Sequence, residues 1–219
     1  LFHQESPIMK TSTTKRIASL ALAALVLSIS SIAFAQGLEV LSGEVTLKVA
    51  PKKSNIKFIS AAPAEKIEGT VEEGITGSFT MNMDDLAKTT GTISLPVESM
   101  NTGNKLRDKH MRSDDWLNAE KNPNITFTIE SLDKVEVAKA DGGKQSFKAI
   151  AVGKININGV DAPAKAGVKG TALDSGKLKI KIDRFSVKLA DHKVAGKKGV
   201  VGNKVGETIE IEGIIYAGK

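Results

Sequence analysis

The chain is dominated by short runs in which apolar and polar residues alternate. Lys177-Leu178-Lys179-Ile180-Lys181-Ile182-Asp183 puts Leu178, Ile180 and Ile182 on one side of an extended backbone and charges on the other. Thr208-Ile209-Glu210-Ile211-Glu212 repeats the pattern, and Thr92-Ile93-Ser94-Leu95-Pro96-Val97 carries it to a proline that predicts an edge or a strand end. Softer versions lie at residues 125–129 and 154–158, and residues 45–49, 55–59 and 77–81 complete the set. Turn signals separate them at Pro51-Lys52-Lys53-Ser54, Asp141-Gly142-Gly143, Asn158-Gly159 and Asp174-Ser175-Gly176. About eight or nine strands at regular spacing predict an all-β protein. Antiparallel strands with one wet face suit an up-and-down barrel of about eight strands, filled by side chains or holding one small ligand.

One block interrupts the pattern. Residues 104–111 have mixed charges, few β-branched residues and no alternation, which predicts a short helical insert near residues 104–118. Ser113 or Asp114 is placed to cap a second turn carrying Trp116 and Leu117, and Asn122-Pro123 stops it. Residues 190–204, punctuated by Gly196, Gly199 and Gly202, are the expected flexible segment.

The ends set the compartment. Residues 1–8 precede the first methionine and are excluded from the fold. Residues 9–35 have the pattern of a secretory signal: Lys10, Lys15 and Arg16, then an apolar run, then Ala33-Phe34-Ala35 with cleavage expected after Ala35. Residues 36–219 then form one domain, periplasmic or secreted, with no further stretch long enough to insert stably in a membrane. With no cysteine, that domain must be held by core burial and sheet hydrogen bonds alone. The net charge of +6 falls to +4 when Lys10, Lys15, Arg16 and Glu5 are removed. One tryptophan, one tyrosine and seven phenylalanines offer no stacking platform, so nucleic acid is not an expected partner. A homodimer is left open.

Catalytic chemistry finds little support. His110 needs a third metal ligand beyond His192, and none suggests itself. Asp114 and Asp115 are adjacent and point apart, so they cannot flank one bond as a general acid and base. There is no cysteine nucleophile, no G-x-S-x-G elbow and no phosphate-cradling glycine loop. No catalytic residue, metal or cofactor is expected.

What remains is an apolar face. If the apolar parity of each strand points inward, the interior draws on Phe58, Phe79, Ile93, Leu95, Ile125, Phe127 and Phe147. Ile155, Ile157, Ile180, Ile182, Ile209 and Ile211 join them from the later strands. Ala149, Ala151 and Gly153 share that parity and would leave space between larger neighbours.

The interrupting block also carries a resemblance. Thr102-Gly103-Asn104, Arg107-Asp108, His110-Met111-Arg112-Ser113, Asp115-Trp116-Leu117 and Lys121-Asn122-Pro123-Asn124-Ile125-Thr126-Phe127 resemble the signature of the YceI-like family. Ser54-Asn55-Ile56-Lys57-Phe58, Gly153-Lys154-Ile155-Asn156-Ile157-Asn158-Gly159-Val160, Ile182-Asp183-Arg184 and Val205-Gly206-Glu207 are similar to its other segments. Asn158 replaces a common histidine, Trp116-Leu117 a pair of phenylalanines and Val187 an aromatic. The resemblance implies an extended, lipocalin-like antiparallel barrel that binds polyisoprenoids or similar long-chain amphiphiles. Fatty acids or fatty amides, and a filled, ligand-free module, are the alternatives. One isoprene unit contributes about 4 kcal/mol gross, against an association cost of ~4–15 kcal/mol, so several units must be buried. A head group at the mouth would want cations, and Lys105, Arg107, Lys109 and Arg112, or Lys193, Lys197 and Lys198, are candidates.

Overall fold

Alternation in the sequence becomes alternation in burial. In the structure, a computed structural model that describes residues 43–139, 142, 144–173 and 176–219, β1 (Glu44–Val49) turns Val45, Leu47 and Val49 inward. Nine further strands follow: β2 (Asn55–Ala61), β3 (Lys66–Val71), β4 (Thr76–Asn82), β5 (Thr90–Pro96), β6 (Asn124–Lys139), β7 (Gln145–Ile157), β8 (Val160–Leu173), β9 (Lys177–Lys188) and β10 (Thr208–Gly218). The single α-helix among the described residues, α1 (Lys105–Arg112), lies between β5 and β6. The expected leader and cleavage site lie outside the described residues, as do Asp141, Gly143, Asp174 and Ser175 of two expected turns. Among the described residues no helix is long and apolar enough to cross a membrane.

The sheet closes on itself. The strands neighbour one another in the order β1-β4-β5-β6-β7-β8-β9-β10, all antiparallel, and β10 returns to β1 through Lys48↔Gly218 and Val49↔Ala217. Eight strands therefore form a closed barrel, which removes sheet edges from that ring. The β2–β3 hairpin extends the wall on the other half of β10, from Ile209↔Ser60 to Ile214↔Asn55. Buried Ser54 bridges the break between β1 and β2: its hydroxyl donates to the Ala50 carbonyl at 3.0 Å and accepts from the Tyr216 amide at 3.0 Å. The turn between β7 and β8 is Asn158-Gly159, with φ of 53° and 73°. Two left-handed residues make this a type I′ turn, whose twist matches that of the strands, which explains Asn-Gly at this place.

Strand number and length depart from the sequence reading. The run at residues 125–129 is the first third of β6, which continues through two bulges to Lys139. β3 and β8 are additions. β8 turns Ala162, Ala166, Val168, Gly170 and Ala172 inward, residues too small to register as an apolar stripe. In β3, Gly69 breaks the visible pattern between Ile67 and Val71. Residues 190–204 are not featureless. They begin in the 3₁₀ turn Leu189–His192, whose buried His192 places Nδ1 2.9 Å from the Val160 carbonyl oxygen, and end in a bridge between Val201 and Val205.

The outer face carries charge ladders across strands. Arg184 on β9 pairs with Glu210 at 3.3 Å and Glu212 at 3.0 Å on β10, while Glu68 on β3 sits between Lys66 at 2.6 Å and Lys57 at 2.9 Å. Hydrogen bonds from Lys66 and then Lys57 lower the Glu68 carboxyl from 4.5 to about 2. A carboxylate whose pKa is lowered by folding adds stability that is present above its unfolded value and lost as pH falls through the folded one. Between about pH 5 and pH 2, the Glu68→Gln variant should therefore lose less thermal stability than the parent, measured as the melting temperature at each pH. Parallel curves would show that the pair contributes nothing.

Candidate functional site

The barrel is not filled. A cavity of about 620 Å³ runs through its interior. All thirteen positions expected from strand parity line it: Phe58, Phe79, Ile93, Leu95, Ile125, Phe127, Phe147, Ile155, Ile157, Ile180, Ile182, Ile209 and Ile211. Leu132, Val168, Val187 and Leu189 add to the apolar wall.

Two features of the strands keep the space open. Ala151 and Ala166, register partners on β7 and β8, both line the cavity and project almost nothing into it. Phe58 faces Gly69 across β2 and β3, and Phe147 faces Gly170 across β7 and β8. In each pair a side chain on the glycine would collide with the ring. The rings therefore lie back over bare backbone on the wall, an arrangement that covers glycines in sheets. Gly153 and Ala149 play a different part from the one expected, since neither lines the cavity. A side chain at Gly153 would meet the Thr128 carbonyl of β6, so that glycine lets two backbones approach.

Polar lining gathers mainly at one end. Ser60 and Glu65 come from the β2–β3 hairpin, Thr102, Asn104, Arg107 and His110 from the helical insert, and Lys197 and Lys204 from the loop before β10. Thr89, just before β5, sits toward the other end, where its hydroxyl donates to the Leu86 carbonyl at 2.7 Å. The apolar tunnel thus has a polar mouth.

The signature block builds that mouth. Asn104 caps α1, its side-chain oxygen accepting from the amides of Leu106 and Arg107 at 3.1 Å each. Asp108 is buried and accepts from the Thr102 amide at 3.0 Å and the Thr102 hydroxyl at 2.6 Å. Arg112, one turn on and on the same helix face, donates to the carbonyls of Glu98 at 2.7 Å and Met100 at 2.8 Å. The chain just before the insert is stitched to β3, where Thr70 and Asn101 exchange backbone hydrogen bonds at 2.8 and 2.9 Å. With Asp108 and Arg112 holding one face, the other face presents Leu106, Arg107, His110 and Met111 to the cavity. Trp116 lies against Gly196, where a side chain would meet the indole ring at 2.6 Å, so the insert and the loop at residues 193–205 close over the same end.

The head-group candidates divide. Arg107 reaches the mouth but is held by Glu65 at 2.5 Å. Lys105, Arg112 and Lys193 do not line the cavity. Arg112 is committed to the backbone behind the helix, Lys105 is exposed on its first turn, and Lys193 is the left-handed cap of the 3₁₀ turn, with φ of 56°. Lys204, which the sequence did not single out, takes their place beside Lys197. His110 lines the mouth whereas His192 is buried outside it, and no cluster of three metal-type ligands occurs among the described residues.

Comparison with known proteins agrees with this geometry. Residues 47–215 match the model of the YceI-like domain. The chain is 30% identical over 142 residues to Protein YceI of Escherichia coli O157:H7, covering 63% of this chain and 69% of that one. It is 29% identical over 126 residues to a UPF0312 protein of Photorhabdus laumondii, spanning 60% of that relative's length. Among solved structures, BcnA of Burkholderia cenocepacia superposes with a TM-score of 0.62 at 17% identity, covering 77% of this chain and 98% of that one. A polyisoprenoid binding domain from Saccharophagus degradans superposes with a TM-score of 0.58 at 13% identity, covering 78% and 97%. At these identities the structural likeness carries the barrel fold, and the sequence match carries the membership: this chain belongs to the YceI-like family.

Proposed function

We propose that the protein is an exported, periplasmic carrier that holds a polyisoprenoid lipid in the barrel, with its polar end at the mouth. The carrying observation is the 620 Å³ cavity, apolar along its strands and polar chiefly where the helical insert and two loops meet. A methylene-sized group occupies roughly the ~30 Å³ share of a water molecule, so the cavity takes about 20 non-hydrogen atoms, or about four isoprene units. Those units contribute on the order of 16 kcal/mol gross, against an association cost of ~4–15 kcal/mol. The name of the Saccharophagus degradans relative supports the same ligand class. A filled, ligand-free module does not fit an interior with this much open space. Nothing in the site calls for catalysis, and the role assigned is binding.

Purification after export from a bacterial host, organic extraction and mass spectrometry test the reading. A prenyl lipid should be recovered, from a protein whose N-terminus begins at Gln36. Recovery of linear acyl chains alone would move the assignment to fatty acids or fatty amides. Recovery of no lipid, with the cavity accessible to none of them on reloading, would end it.

A further inference from the structure

Among the described residues the exposed large hydrophobic side chains are Leu106, 63% exposed, and Val137, 54% exposed. They lie at opposite ends of the barrel. Val137 is near the far end of β6, whereas Leu106 is on α1 at the cavity mouth. Leu106 lines the rim of the mouth and stays largely exposed there, because the opposite face of its helix is pinned by Asp108 and Arg112. The same helix carries Lys105 and Lys109, and the loop that shares the cavity lining carries Lys197, Lys198 and Lys204, all exposed. None of these five lysines makes an ion pair among the described residues, whereas Arg107 is neutralised by Glu65 and Asp108 is buried against Thr102. Of the cavity-lining charges, Arg107, Lys197 and Lys204 outnumber Glu65 by three to one. Glu98, Asp114, Asp115, Glu120, Asp191 and Glu207 are exposed carboxylates on the insert, its flanks and the loop; Glu98 pairs with Arg112, and none of them lines the cavity.

We propose that the mouth docks on an anionic lipid bilayer, with Leu106 entering the interface and the five lysines meeting the head groups. An apolar contact ringed by cations is the arrangement by which surface-bound helices hold to anionic membranes. The inference rests on the carrier reading, because a lipid with a long apolar tail has to enter and leave the tunnel without crossing water. Docking at the mouth joins the cavity directly to the bilayer.

The test uses the exported protein and vesicles that contain no isoprenoid, either phosphatidylcholine alone or with about one quarter phosphatidylglycerol. Sedimentation should show partitioning onto the anionic vesicles, little onto the neutral ones, and weakening as salt rises to about 0.5 M. Leu106→Ser should reduce partitioning about tenfold, and Lys197→Gln with Lys204→Gln by a similar factor. Val137→Ser, the same change at the opposite end, should leave it unchanged. Equal partitioning onto both vesicle types, or equal loss in the Leu106 and Val137 variants, would overturn the docking surface. Because the vesicles lack cargo, that result is independent of the lipid found by extraction, so the surface and the carrier reading fail separately.

Discussion

Ala151→Trp should abolish lipid loading while the protein stays folded. Ala151 sits on the cavity wall opposite Ala166, where an indole has open space in front of it. Filling a void does not force neighbours off their rotamers as overpacking a dense core does, so the melting temperature should hold or rise. The indole displaces about one isoprene unit, which is worth about 4 kcal/mol and lowers affinity ~1000-fold. Titration of the delipidated variant with a fluorescent prenyl lipid measures this. Unchanged affinity would place the ligand outside the barrel.

Trp116→Ala has the second largest expected effect, and it falls on the mouth. The indole ring covers Gly196, so it connects the helical insert to the loop that carries Lys197 and Lys204. Truncating a fully buried tryptophan costs ~3–5 kcal/mol, and this half-buried one should cost about 2 kcal/mol in denaturant unfolding. Release should change more than stability. With the insert and loop uncoupled, transfer of lipid to acceptor vesicles should accelerate on the order of tenfold, consistent with loop closure controlling release. Gly196→Ala should act in the same direction from the other side of the contact, because its left-handed φ of 61° and the ring above it both exclude a side chain. If both variants lose stability and release lipid at the parent rate, the contact is a brace and not a gate.

Strand parity was the most legible part of the chain. In β10 and in the first half of β9 a period of two holds, up to a bulge that switches the inward parity of β9 from Ile182 to Phe185, and the expected inward residues Ile180, Ile182, Ile209 and Ile211 all line the cavity. In β8 the same parity exists but is written in alanine and glycine, which carry almost no hydropathy signal. Those small residues are what hold the lumen open, so the strand hardest to read is among the most important to the site. Gly170 shows why. Its role is to lie under the Phe147 ring, a partner on the neighbouring strand that no local pattern announces.

The cations of the mouth were legible only as candidates, and Lys204 not even as that. Lys105, Arg107, Arg112, Lys197 and Lys204 are alike in sequence, all basic and all in polar surroundings. Their fates differ because α1 has two faces. Asp108 and Arg112 point back to Thr102, Glu98 and Met100, which turns Arg107 toward the cavity and into the reach of Glu65. The residues of the mouth come from the β2–β3 hairpin, the insert and the loop before β10, segments separated by tens of residues, so their meeting is a product of barrel closure.

The sequence by itself determined the strand character of the chain, the apolar face of most strands, the helical insert and the family, because period-two hydropathy and a specific motif are local properties. Tertiary structure alone decided that the interior is open, through glycines placed under aromatic rings and alanines placed across from each other. It also decided which charged residues stand at the opening, since that depends on which helix face is held by hydrogen bonds and which loop folds over it. The block at residues 102–127 identified the family, and in the folded protein it is the clasp that shapes the mouth.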